Sequence, residues 1–352
     1  MRNRSAASAA FFCCGVLAAM PTLAAHQPPP SPRSAPTSVP TLLERMSDAL
    51  RTLNYKGSFV YLHDNALEAM QVVHRADGEG GQERLTSLTG PLREVVRRHK
   101  TVECILPRKR LVVVNQYRSH SRFPMIMPSG SDIQSLGKHY RFLHLGHQRT
   151  AGRNCVVVAL QPKDDYRYGY RLWLDAKSSL LLRSELIGTD GKPMDRVMFT
   201  HIEMPDTIPA DAIKPTVDSS GFARRPHDPG ANSVPLGVGV KIKVGTLPPG
   251  FTMTVNESQH LKSIDAPVRH LVFTDGLASL SVFAAPYTTG KDVLRGLSQR
   301  GSVNAYGRVL DGYQITVVGD VPAKTVELVA QSVQLADREE KSAKPDSGDK
   351  DP

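Results

Sequence analysis

The chain has 352 residues, 40 % of them hydrophobic and 22 % charged, with a formal net charge of +10. That length exceeds what one hydrophobic core usually supports, which disfavours a single domain. The basic excess leaves nucleic acid, lipid phosphate and acidic protein open as partners until the compartment is known.

The first residues decide the compartment. Arg2 and Arg4 precede the apolar run "AASAAFFCCGVLAAM", and "PTLAAH" then offers small residues for cleavage, so residues 1–25 read as a secretory signal peptide. The run is shorter than the ~20 residues of a membrane span. The residues before Cys13 and Cys14 are not the small ones that lipoprotein processing prefers. Cleavage removes two arginines and no acid, leaving about +8. Outside the cytosol DNA and RNA are unusual partners, and the positive charge points to lipid phosphates, acidic glycans or an acidic protein. Cys104 and Cys155 remain, and an oxidising compartment favours a disulfide between them, with two buried thiols on separate strands as the alternative.

Residues 26–40 are rich in Pro and Ser and read as a disordered lead. Residues 41–217 form the first predicted domain. Leu42, Leu43, Met46, Leu50 and Leu53 repeat at helical spacing, with Thr41 as the expected cap and Gly57 as the expected stop. A succession of short strands follows, from "GSFVYLH" to "RVMFTHIEM", with Asp190-Gly191 as a hairpin turn. One strong helix and this many strands predict a large, strongly curved antiparallel sheet. Residues 218–236 have linker composition and are expected to be a flexible joint. Residues 237–335 predict a smaller α+β domain, with Asp275-Gly276 and Asp311-Gly312 as turns and a closing helix after Pro322. Residues 336–352 read as a disordered tail.

Catalytic motifs are weak. "SLGK" (Ser135–Lys138) fits Ser-x-x-Lys without its companion motifs, and "TTGKD" lacks the upstream glycine of a phosphate loop. His139, His144 and His147 suggest a metal cluster, but strand alternation sends His144 and His147 to opposite faces. No metal, cofactor or enzymatic activity is therefore predicted. In "LREVVRRH", Arg93, Val95 and Arg97 share one face of a strand, and Glu94, Val96 and Arg98 the other. Either the stems pack and the heads are solvated, or the arginines grip an anionic head group.

"YKGSFVY" at Tyr55, "GPLREVVRR" at Gly90, "YGYRLWLDAKSSLLLRSELIGTDG" at Tyr168, "LPPGF" at Leu247 and "TDGLASLSVF" at Thr274 together resemble the RseB/MucB family. The resemblance implies a periplasmic negative regulator of the sigma-E envelope stress response. Its first domain would be a LolA-like unclosed antiparallel β-barrel, and a smaller α+β domain would follow. The implied partner is the periplasmic segment of a transmembrane anti-sigma factor of the RseA/MucA kind, shielded from proteolysis until lipopolysaccharide or another anionic lipid releases it. A carrier of the LolA/LolB type is the alternative, and a homo-oligomer stays open.

An open barrel cannot bury both faces of its sheet, so one face either binds something or is plugged by helices. If it binds, the expected lining is Phe59, Tyr61, Met70, Val72 and Val95, with Arg93 and Arg97 nearer the rim. The small domain is expected to carry the main docking surface for the partner.

Overall fold

The computed structural model describes residues 37–64, 66–78, 81–99, 101–116, 133–227, 233–234, 239–260, 266–287 and 293–335. The expected signal peptide and the expected tail lie outside them. No helix among the described residues is long and apolar enough to cross a membrane.

Helix α1 (Val39–Thr52) opens the first lobe. Ser38, not Thr41, caps it: the Thr41 amide donates to Ser38 Oγ at 3.3 Å. The helix therefore begins inside the stretch read as a disordered lead. It ends at Leu53, where the backbone turns extended and the Leu53 amide reaches the Ala49 carbonyl. The apolar stripe of Leu42, Leu43, Met46, Ala49 and Leu50 is buried along one face.

The strands are β1 (Tyr55–His63), β2 (Ala66–Arg75), β3 (Gln82–Ser87), β4 (Glu94–Arg98), β5 (Thr101–Leu106) and β6 (Leu111–Gln116). After helix α2 (Ile133–His139) come β7 (Tyr140–Thr150), β8 (Arg153–Pro162), β9 (Gly169–Asp175), β10 (Leu181–Ile187), β11 (Pro193–Glu203) and β12 (Ala223–His227). They make one twelve-stranded sheet in the order β12-β6-β5-β4-β3-β2-β1-β11-β10-β9-β8-β7, whose two ends do not pair with each other. It is the large unclosed sheet that was expected. Strand β12 is a correction: part of the supposed linker lies parallel to β6, with Ala223 opposite Leu111.

The sheet wraps around α1. Phe59, Met70, Val72 and Leu85 from one wing and Val158, Leu160 and Leu172 from the other share a single buried cluster with Leu43 and Met46 of α1 and Leu136 of α2. Helices thus plug the concave face. On the opposite face, the chain after β11 covers Val73 and Val96 with Ile208 and Ile213. Buried Glu94 anchors that segment by accepting from the Thr216 amide (3.0 Å), the Thr216 hydroxyl and the Val217 amide (3.2 Å).

The second lobe holds β13 (Ser233–Val234), β14 (Ile242–Val244), β15 (Thr252–His260), β16 (Pro267–Thr274), β17 (Ser279–Pro286), β18 (Gly296–Arg300), β19 (Val303–Leu310) and β20 (Tyr313–Gly319). Helix α3 (Ala323–Ser332) and β21 (Val333–Leu335) close it. Seven strands form a sheet in the order β13-β15-β16-β17-β20-β19-β18, and β14 pairs with β21. Val326, Val329 and Ala330 of α3 pack with Val282, Ile315 and Val317 of that sheet. The lobe is the smaller α+β unit that was expected.

The joint between the lobes is clamped, contrary to the flexible joint expected from composition. Arg167, in the β8–β9 turn, has a side chain with 0 % exposure, as does its partner Asp275 in the β16–β17 turn, at 2.5 Å. The guanidinium also donates to Asp164 Oδ1 (3.0 Å) and the Pro249 carbonyl (2.6 Å), and lies over the rings of Tyr140 and Phe251. Asp275 accepts from the Tyr140 hydroxyl (3.2 Å) and from the amides of Leu277 and Ala278 (2.9 and 2.8 Å). Asn304 donates to the Tyr168 hydroxyl, and Thr325 to the Tyr166 carbonyl. Gly250, at φ +85°, lies so close to His139 that a Cβ there would stand 2.2 Å from the imidazole.

Removing one member of a buried, hydrogen-bonded ion pair strands the other. Asp275→Asn is expected to lower unfolding free energy by about 3 kcal/mol in a urea titration. Lys324→Ala breaks an exposed pair with Asp165 and should cost less than about 1 kcal/mol. Equal, small losses in both would show that the clamp does not hold the lobes.

Candidate functional site

Among the recesses of the described residues, two are lined by residues of the expected site. The first, of about 340 Å³, lies between the lobes, and its lining includes Tyr61, His63, Tyr170, Asp195, Ser302 and Asp320. The register of β1 on β11 places Tyr61 opposite Val197, next to Asp195. His63 Nδ1 bonds Asp195 Oδ1 at 2.8 Å. Ser302 Oγ, from the turn before β19, lies 2.8 Å from Asp195 Oδ2 and 2.8 Å from Asp320 Oδ1. The Tyr61 ring stacks on His63. Burial pushes the Tyr61 phenol up to about 12, with the charges of Asp195, Asp320 and Glu68 adding to it. A serine, a histidine and an aspartate meet here, but Asp195 stands between the other two. His63 is bonded to the carboxylate, not to Ser302, so the three do not follow the serine–histidine–aspartate order, and Ser302 is buried between two aspartates. The cluster binds the lobes together through hydrogen bonds.

The second recess, of about 600 Å³, lies at the hairpin end of β1–β6, where its lining includes Leu67, Leu92, Arg93, Leu106, Arg108 and Lys109.

The expected lining is only partly brought together. Phe59, Met70 and Val72 do share a face, yet they are 1 %, 1 % and 2 % exposed and belong to the core under α1. Val95 packs against the same cluster. Tyr61 lines the inter-lobe recess instead, and Arg93 lines the hairpin recess. Arg93 pairs with Glu68 at 3.1 Å. Arg97, toward the other end of β4, pairs with Glu83 (3.3 Å) and donates to the Gly81 carbonyl (2.9 Å). The two arginines do not converge on one head group, and the open apolar cavity is corrected to a helix-filled core.

The disulfide is corrected too. Cys104 and Cys155 are free thiols. Their strands, β5 and β8, take the third and eleventh places in the sheet order, eight strand spacings apart. Burial pushes both thiols up, against the nearby charge of Arg93 for Cys104. His144 and His147 are a third correction. A bulge interrupts β7 between them, and their rings meet edge to face at 5.8 Å rather than on opposite sides. Among the described residues no group of three His, Cys, Asp or Glu side chains is placed to hold a metal ion.

Sequence reasoning missed Glu185. It is 1 % exposed and takes ion pairs from Arg171 (3.4 Å), Arg183 (2.5 Å) and Arg196 (2.6 Å). The register puts Arg171 and Arg196 directly opposite it on the flanking strands. Arg183 also covers the Trp173 ring at 4.0 Å.

A wrapped sheet filled by its own helix, a second lobe clamped to its rim and recesses left at the edges define a two-lobed β protein of the binding kind. The chain belongs to the MucB/RseB family: the MucB/RseB N-terminal domain matches residues 38–217 and the MucB/RseB C-terminal domain residues 239–334. It is 31 % identical over 297 residues to the sigma factor AlgU regulatory protein MucB of Pseudomonas aeruginosa, covering 83 % of this chain and 89 % of that one. It is 27 % identical over 308 residues to the sigma-E factor regulatory protein RseB of Escherichia coli K12, covering 86 % and 92 %. A solved Pseudomonas aeruginosa MucA/MucB complex superposes with a TM-score of 0.68 at 29 % identity, covering 85 % of this chain and 99 % of that one. A crystal structure of MucB with MucA(peri) gives 0.67 at 28 % identity, covering 86 % and 100 %.

Thiol labelling checks the cysteine correction. In unreduced, denatured protein starting at His26, Cys104 and Cys155 should both take label, and native protein should shield Cys155, which is 0 % exposed. Absence of label after denaturation would restore the disulfide.

Proposed function

We propose that this chain is an exported periplasmic regulator that binds the periplasmic segment of a MucA/RseA-like anti-sigma factor. It shields that segment from proteolysis and gives it up when lipopolysaccharide or another anionic lipid binds. Family membership supports the regulatory reading, and the two MucB structures solved with MucA support the choice of partner. The observation that carries most weight is the clamped second lobe, which a carrier would not need. The carrier reading is further disfavoured by α1, whose Leu43 and Met46 are each 1 % exposed inside the space a cargo chain would take.

Release by lipid requires that lipid bind the free form more tightly than the complex. The coupling is then reciprocal, and the partner weakens lipid binding by the same factor. The second lobe and the inter-lobe recess are the surfaces proposed to carry the docking, since both lobes contribute side chains to that recess.

Titration calorimetry of the full chain against the periplasmic segment of its own organism's anti-sigma factor tests this. Saturating lipopolysaccharide should weaken the affinity by about tenfold or more, within the usual range of coupling between sites. An affinity indifferent to lipid would remove the switch and leave a protective binder. Absence of binding would remove the reading altogether.

A further inference from the structure

We propose that the hairpin end of the first lobe is a docking surface for an anionic lipid bilayer. This concerns attachment to a membrane surface, and it stands apart from release of a partner by a lipid signal.

The surface follows from strand order. Strands β1 to β6 pair consecutively and antiparallel, so the β1–β2, β3–β4 and β5–β6 turns lie at the same end of the sheet. Among the described residues six large apolar side chains are strongly exposed, and three of them sit here: Leu67 (62 %), Leu88 (55 %) and Leu92 (44 %). Exposed apolar residues scattered singly need no explanation, whereas a cluster marks an interaction site. The turns also hold these leucines out. The Leu88 amide donates to the Ala69 carbonyl at 2.8 Å, tying the second turn to β2. The Ala69 amide returns a bond to Thr89 Oγ1 at 3.0 Å, and Ser87 Oγ accepts from the Arg93 amide at 2.8 Å. These bonds fix the backbone that carries Leu88 and Leu92 at the tip of the turn.

The charge around the leucines has one sign in excess. Arg93, Arg108, Lys109 and Arg110 of these turns stand against Asp64 of the first turn and Glu68 near the start of β2. Arg93 is paired with Glu68, and Arg110 is occupied by the Gly221 carbonyl and the Phe222 ring. Arg108 and Lys109 are exposed and make no ion pair with another described residue. No carboxylate of a described residue pairs with either, so they suit the diffuse negative potential of a lipid surface better than one chelated anion. Leucines at the tips with cations set around them match the geometry of interfacial binding, in which apolar side chains enter the acyl boundary and cations meet phosphates. The recess between the turns, about 600 Å³, leaves room for lipid atoms below the leucine tips.

Vesicle flotation of the full exported chain, without any partner segment, tests the proposal. Vesicles of equal phosphatidylglycerol and phosphatidylcholine should carry the protein, and phosphatidylcholine alone should carry much less. Replacing Arg108→Ala with Lys109→Ala should weaken binding about thirtyfold, each cation near an anionic surface contributing roughly a factor of five. Leu88→Ser with Leu92→Ser should reduce it by about tenfold or more, through lost apolar burial. Leu145→Ser, at an exposed site on β7, should leave it unchanged. All five positions are exposed, so thermal melts are expected to match the parent. Failure of the parent to float with anionic vesicles would overturn the proposal. So would unchanged flotation of the Leu88/Leu92 variant, or binding of a soluble acidic peptide in place of vesicles.

Discussion

A guanidinium with no route to water dictates how the two lobes meet. Arg167 is buried in the joint and is answered by two aspartates, one carbonyl and two aromatic rings. Desolvating such a group is expensive, and a buried ion pair gains little net stability over an apolar contact of the same shape. What it does is forbid alternatives. A closed joint that separates Arg167 from Asp275 leaves each charge buried with only the partners of its own lobe. The close approach of Gly250 to His139, the insertion of Leu277 into the first lobe's core and the shape of the inter-lobe recess all depend on that one placement.

Local structure was legible in the sequence to a large extent. The α1 stripe, the strand succession and the Asp-Gly turns of the second lobe all stand where alternation and turn chemistry put them. Register was not legible, because it is set by pairing across the sheet. That is why the arginine ring around Glu185 went unseen and why Cys104 and Cys155 were brought together on paper. Asp275 was read as a turn residue, and it is one. Nothing local tells that its carboxylate also receives Arg167, 108 residues away. The cavity lining failed for a more instructive reason. An amphipathic helix must cover something apolar, and the concave sheet beside it is that surface. The helix stripe and the inner strand residues, read together, already implied a plug.

With its interior filled, the first lobe differs in kind from a container. Its recesses lie at its edges, among them the one where β1, β9–β11 and the second lobe converge and the one where the first hairpins turn. The inter-lobe recess places His63 and Asp195 of one lobe against Ser302 and Asp320 of the other, so whatever occupies it touches both. In such a geometry the relative stability of the joint and the affinity of the recess are linked quantities.

An unclosed sheet of twelve strands raises a problem of solubility, since each end strand presents backbone groups that could template a neighbouring molecule. Both ends are interrupted. Strand β12 is only five residues long and includes Pro226, which has no N–H to offer a further strand. Strand β7 is longer, but it breaks register between His144 and His147, where Gly146 takes φ +85°. A chain arriving at either edge would meet a ladder that is short at β12 and broken at β7.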